Sequence, residues 1–194
     1  MKLENLDTKF DKLFSRLNSE EFLTMKALGG EIPFYIVPYN PTQENDVIKQ
    51  IKKLQSRLKT SGTSVFEINL YELSISMLEK RGLLQKIFAK EQSLDKGKLF
   101  KTMQGVLDSE TNLIPEIGKL CEANPSNIVF MTGIGQVFPY IRSHTILNNL
   151  QNWIKDRPTV VFFPGEYDMN ALKLFGKMKD DNYYRAFNLE TKNL

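Results

Sequence analysis

Apolar positions along the chain switch between two periods. Residues 3–17 carry Leu3, Leu6, Phe10, Leu13, Phe14 and Leu17 at steps of three and four, the stripe of an amphipathic helix. A second short helix follows Ser19, a favourable N-cap, with Glu20 and Glu21 in its first turn and Gly29-Gly30 at its end. Residues 32–39 (IPFYIVPY) are then almost continuously β-branched or aromatic, as expected of a strand buried on both faces. Asn40-Pro41-Thr42 turns the chain, and Thr42 is expected to cap a helix over 43–60 with the buried stripe Val47, Ile48, Ile51, Leu54 and Leu58. A second strand at 65–70 makes 32–70 a βαβ unit with a right-handed crossover.

Helical segments at 71–81, 83–90, 96–107 and 113–123 come next, punctuated by Gly82 and Asn124-Pro125, with a loop-like stretch at 90–98. A third strand at 127–132 leads through Gly133-Ile134-Gly135 to a helix at 139–150. The fourth strand, 159–163, is expected to break at Pro164-Gly165. A short helix near 170–178 and a last strand at 183–189 complete the pattern. Alternation of this kind predicts an α/β fold: a mainly parallel sheet with helices on both faces. One domain is expected over 1–194, with an N-terminal helical extension at 1–30 and a helical insertion at 71–124 between strands two and three.

Composition narrows the chemistry. The 194 residues include 41% apolar and 25% charged side chains, ordinary values for a globular protein. With 26 basic and 23 acidic residues the net charge is +3, too near balance to imply nucleic acid by bulk electrostatics. One cysteine, Cys121, excludes an intrachain disulfide and any multi-cysteine zinc site within these residues, and one histidine, His144, leaves a single imidazole for acid–base work. The opening MKLENLDTKF interrupts its apolar residues with charges, unlike a secretory leader, and no stretch approaches the ~20 apolar residues of a membrane span; a cytoplasmic protein is expected.

Ligands of parallel sheets bind beyond the carboxyl ends of the strands. The first strand exits through Pro38-Tyr39-Asn40-Pro41-Thr42, with neither the glycines nor the lysine of a phosphate-cradling P-loop, and no Walker A pattern occurs elsewhere. Gly133-Ile134-Gly135 has Phe138 where a dinucleotide fingerprint needs its third glycine, so a tight strand–helix turn is the better reading. Glu190-Thr191-Lys192 matches half of a metal-dependent nuclease motif, but no acid on a neighbouring strand completes it. Ser143 and His144 are adjacent on a helix and cannot face each other as a dyad. Cys121 reads as a small buried hydrophobe. These readings predict no enzyme activity, no cofactor and no metal.

Two polar zones are candidates for contact. Lys49, Lys53 and Arg57 recur at i, i+4 and i+8 on a helix, with no acid between Asp46 and Glu67; they are candidate phosphate contacts, or a solvated face. Arg142, His144 and Asn148 on the helix after the third strand, with Glu166, Asp181, Asn182 and Arg185 at the later strands, are candidate partner-binding residues, or a polar network fixing the last strand.

Longer blocks carry a family likeness. These are Gly29-Gly30-Glu31-Ile32-Pro33-Phe34-Tyr35, then Glu67-Ile68-Asn69-Leu70-Tyr71, and the run from Thr132-Gly133-Ile134-Gly135-Gln136 through Val137-Phe138-Pro139-Tyr140 to Ile141-Arg142-Ser143-His144. Leu147-Asn148-Asn149-Leu150, Phe162-Phe163-Pro164-Gly165-Glu166-Tyr167, Leu174-Phe175-Gly176 and Asp181-Asn182-Tyr183-Tyr184-Arg185-Ala186-Phe187 complete the set. The pattern, from about residue 5 to 189, resembles the BrxB family of BREX bacteriophage-defence systems. The resemblance implies a core like that of a P-loop or AAA-type ATPase lacking the Walker A loop. It also implies a non-catalytic adaptor role supporting phage restriction and host DNA methylation. The expected direct partner is the alkaline-phosphatase-like protein PglZ, with the methyltransferase PglX and the ATPase BrxC in the same assembly. The alternatives are a nucleic-acid-binding module of that system and, less in keeping with the residues, a cryptic nuclease or nucleotide hydrolase using His144, Glu166, Asp181 or Arg185.

Overall fold

A strand that is apolar on both faces needs a covering layer on each side and a hydrogen-bonding neighbour at each edge. The run at 34–39 has all four. The computed structural model describes residues 3–25, 33–90, 93, 95–150, 153–168, 171–180 and 186–191, with the backbone alone at His144 and Asp180. Strand β1 (Phe34–Tyr39) lies parallel to β4 (Thr159–Tyr167) on one edge and β7 (Phe187–Asn188) on the other. Strands β2 (Val65–Asn69) and β3 (Ile128–Thr132) continue the sheet beyond β4, giving the parallel order β2-β3-β4-β1-β7. This differs from the 3-2-1-4-5-6 order of dinucleotide-binding folds.

Alternate side chains of each strand enter separate cores. Tyr35, Val37, Tyr39, Phe130, Phe162 and Val160 pack under α1 (Leu6–Leu17), α2 (Glu20–Leu23) and α3 (Glu44–Thr60). Phe34, Ile36, Val129, Met131, Val161 and Phe163 pack under α4 (Leu70–Lys80), α7 (Ile114–Ala123) and α8 (Ser143–Leu150). Phe162, fully buried, stacks on Phe10 at 6.2 Å and meets the edge of Phe130 at 5.1 Å. Helices α5 (Leu84–Lys90) and α6 (Lys96–Val106) sit at the margin of this second layer, each with a single buried residue.

The α/β architecture with a mainly parallel sheet is the one expected, and its departures have local causes. The fourth strand does not stop at Pro164-Gly165. It runs on to Tyr167 and turns from a parallel ladder with β1 into an antiparallel one with β5 (Leu172–Leu174). A Cβ on Gly165 would stand 2.2 Å from the Lys173 carbonyl oxygen, so the glycine admits the incoming strand instead of breaking the outgoing one. The helix expected near 170–178 is instead a hairpin of β5 and β6 (Met178–Asp180). Its turn has positive φ at Phe175 (55°) and Gly176 (67°), the conformation that matches strand twist.

The helix after β3 begins at Ser143, not at 139, because residues 134–140 form turns. Pro41–Gln43 forms a 3-10 turn capped by Asn40, which displaces Thr42 from the expected cap of α3. Leu3 is 76% exposed and leaves the apolar stripe, and Ile48 is half-buried at a cleft wall. Gly29-Gly30, Ile32 and the 183–185 part of the expected last strand lie outside the described residues.

Candidate functional site at the strand exits

The exits of β1, β2 and β3 border a cleft of about 450 Å³, lined among others by Tyr39, Glu44, Lys52, Glu67, Tyr71 and Gln136. Each wall follows from a local requirement. At the end of β1, the Asn40 side-chain oxygen accepts from the Thr42 amide (3.0 Å) and hydroxyl (2.9 Å), which starts the turn. The buried Tyr39 hydroxyl donates to Glu44 Oε2 at 2.6 Å. Burial, reinforced by the Glu44 carboxylate, holds that phenol far above its usual range and keeps it protonated.

At β2, Glu67 sits between two layers. Its Oε1 accepts from the Thr132 hydroxyl (2.7 Å) and its Oε2 from Gln55 Nε2 (2.7 Å), so one carboxylate ties β2 to β3 and α3. Asn69 ends β2 and caps α4, accepting from the amides of Tyr71 (3.0 Å) and Glu72 (3.2 Å). Gly133 then presses on Asn69. It has φ +75°, and a Cβ there would come within 2.5 Å of Asn69 Oδ1. The first glycine of the Gly133-Ile134-Gly135 motif therefore serves a strand–strand contact. The second, Gly135, makes room for Phe175 and Pro164.

This chemistry disfavours phosphate. In a phosphate site a helix N-terminus offers free amides to an anion. Here α3 opens behind Pro41, which has no N–H, and carries Glu44 and Asp46 in its first turn. Helix α4 has its first amides occupied by Asn69. Glu67 has hydrogen-bond donors on both oxygens. Among the described residues no group of three or more His, Cys, Asp or Glu is placed to hold a metal ion.

The expected contact residues lie elsewhere and are not all brought together. Arg142 is exposed at the start of α8, on a second depression of about 360 Å³ shared with Asp108, Glu110, Tyr140 and Thr145. Asn148 is exposed one to two turns further along α8, and His144 lies on the same helix. Glu166 is exposed on the extension of β4, 3.6 Å from Lys173 Nζ. No hydrogen bond or ion pair joins Arg142 or Asn148 to Glu166 among the described residues. Asp181, Asn182 and Arg185 lie outside those residues.

The basic stripe on α3 is partly spent on packing. Arg57 pairs with Asp11 at 2.7 Å and covers the Phe14 ring at 4.2 Å, while Lys49 pairs with Asp46 at 2.9 Å and Lys53 stays exposed. Glu190, of the half nuclease motif, lies 3.2 Å from Lys9. Cys121 is buried.

Glu67, Asn69 and Thr132 were not among the expected site residues. Glu67 did carry a signal, as the one charge inside an apolar strand run. Lys9 carried another, standing three residues after Leu6 and four before Leu13 on an apolar helix face.

Comparison with known proteins decides the family. Residues 66–189 match the family model described as BREX protein BrxB. A Bacillus cereus (strain H3081.97) protein named BREX protein BrxB is 40% identical over 192 residues, covering 98% of this chain and 100% of the relative. The chain belongs to the BrxB family. A second BREX protein BrxB, from Escherichia coli O9:H4 (strain HS), is 29% identical over 184 residues, 95% of this chain and 91% of that protein. No solved structure matches. Membership in the family makes BREX antiviral defence the setting and other BREX components the partners, as the sequence blocks implied. Among the described residues no helix is long and apolar enough to cross a membrane.

Proposed function

We infer that the chain is a non-catalytic adaptor of a BREX phage-defence complex in the cytoplasm. It supports phage restriction and host DNA methylation by holding other components, with a PglZ-like protein as the direct partner and PglX and BrxC in the same assembly. One observation carries the reading. At the exit of β1, where a P-loop core would cradle phosphate, the chain has a proline-led turn, a tyrosine–glutamate hydrogen bond and two acids on the first helical turn. The strand order, with β4 between β1 and β3, supports kinship with P-loop or AAA-type cores whose Walker A loop is missing.

The exposed Arg142 and Asn148 on α8 and Glu166 on β4 are the residues through which contact is expected. The test is co-elution of the full chain with PglZ on size-exclusion chromatography, repeated with Arg142→Glu/Glu166→Arg. A stable complex weakened at least tenfold by the double substitution supports the reading. Separate elution of two folded proteins refutes the partner. ATP- or metal-dependent turnover by the purified chain refutes the non-catalytic role.

A further inference from the structure

The charge of the chain is unevenly placed. Residues 84–106, which form α5, α6 and their connection, hold five lysines (Lys86, Lys90, Lys96, Lys98 and Lys101) against Glu91 and Asp95. The other 171 residues carry 21 basic and 21 acidic side chains, so this short segment accounts for the whole surplus of +3. Asp95 is also committed: its Oδ1 caps α6 by accepting the Lys98 amide at 3.0 Å.

The five lysines are exposed, and among the described residues none is in an ion pair. Several basic residues elsewhere are committed to ion pairs, while Lys52, Lys53 and Lys59 on α3 are exposed like these five. Lys80 pairs with Glu116, Arg57 with Asp11, Lys49 with Asp46 and Lys9 with two glutamates. The lobe is anchored through Leu84 and Val106 and by the Phe100 ring against Tyr140 at 5.6 Å, which leaves its outer surface to solvent.

We propose that the outer surface of α5 and α6 binds the phosphate backbone of duplex DNA without reading its sequence. Three features select this occupant. Lysines four apart on α5 and three apart on α6 are separated by about 6 Å and about 4.5 Å along the helix axis, comparable to one or two phosphate steps of a strand. Protein interfaces are depleted in lysine and enriched in arginine at their centres, and residues 84–106 contain five lysines and no arginine. Single strands need successive aromatic platforms; here Phe100 is held by Tyr140, and Phe88 alone is free to offer a ring, being 59% exposed. Lysine ammoniums act as point charges, without the fixed fork that reads guanine, so the binding is indifferent to sequence. The proposal does not depend on the adaptor reading, which concerns α8 and β4.

The test is fluorescence anisotropy of a labelled 25-base-pair duplex titrated with the full chain at 50, 100 and 200 mM salt. Five neutralised phosphates give a slope of log K on log salt of about −4.5, so affinity falls roughly 500-fold over that range. Lys86→Glu/Lys90→Glu/Lys98→Glu/Lys101→Glu should lose at least tenfold at 50 mM and flatten the slope toward −1. A control, Lys49→Glu/Lys52→Glu/Lys53→Glu on α3, should stay within threefold. If the reversal variant fails to fold by circular dichroism, the four glutamine substitutions are read by the same slope. The proposal is overturned by absence of wild-type binding at 50 mM, by unchanged binding of the lobe variant, by equal loss in the α3 control, or by tighter binding of a single strand of equal length.

Discussion

Lys9 is the most demanding residue in the first core, and its removal has a calculable outcome. Its side chain is 6% exposed, yet its ammonium reaches Glu4 Oε2 (2.5 Å), Glu190 Oε2 (3.2 Å) and the Pro38 carbonyl. It therefore ties α1 to the end of β1 and to the segment after β7. Lys9→Met keeps the apolar stem and deletes the charge. Both glutamates are about a third exposed (32% and 36%) and can rehydrate, so each lost pair costs about 0.5–1 kcal/mol, not the larger penalty of a sealed ion pair. The Pro38 carbonyl loses a charged donor in a half-buried place, for about 1 kcal/mol more.

The sum is about 2–3 kcal/mol, or roughly 4–12 °C in melting temperature for a chain of this length. Urea unfolding followed by circular dichroism at pH 7 measures it as a lower midpoint at unchanged m. The Lys9→Met/Glu190→Gln cycle should show a coupling near 0.5–1 kcal/mol. A Lys9→Met midpoint equal to or above wild type would refute the reasoning, because it would mean that desolvating the ammonium costs as much as its three contacts return.

Two further outcomes follow from single positions. Gly133→Ala places a Cβ 2.5 Å from Asn69 Oδ1 at φ +75°, and it should cost about 2–3 kcal/mol through left-handed strain and a disturbed α4 cap; an unfolding free energy from urea titration within about 0.5 kcal/mol of wild type counts against the contact. Burial pushes the Cys121 thiol up to about 11, so the thiolate is scarce at pH 8 in the folded chain; iodoacetamide labelling should be slow natively and fast in 6 M urea, and equal rates would contradict the burial.

The sequence by itself determined the parts of this protein that depend on near neighbours. The run at 34–39 can only be a central strand, because both of its faces are apolar. The stripe Val47, Ile51, Leu54 and Leu58 fixes which side of α3 is buried. The family blocks are likewise a property of order along the chain, and they led to the family that comparison shows. The tertiary structure decided what depends on distant partners. Pro164-Gly165 reads as a break until Lys173 is seen to approach the glycine from a strand eight residues on. Arg57 reads as a free cation until Asp11 and Phe14, more than forty residues earlier, are found beneath it. Lys86 to Lys101 read as ordinary helices and a loop until all five prove to be exposed and, among the described residues, outside any ion pair. A local pattern records which face a residue turns inward; only the fold brings together the carboxylates, rings and carbonyls that decide whether a charge is already used.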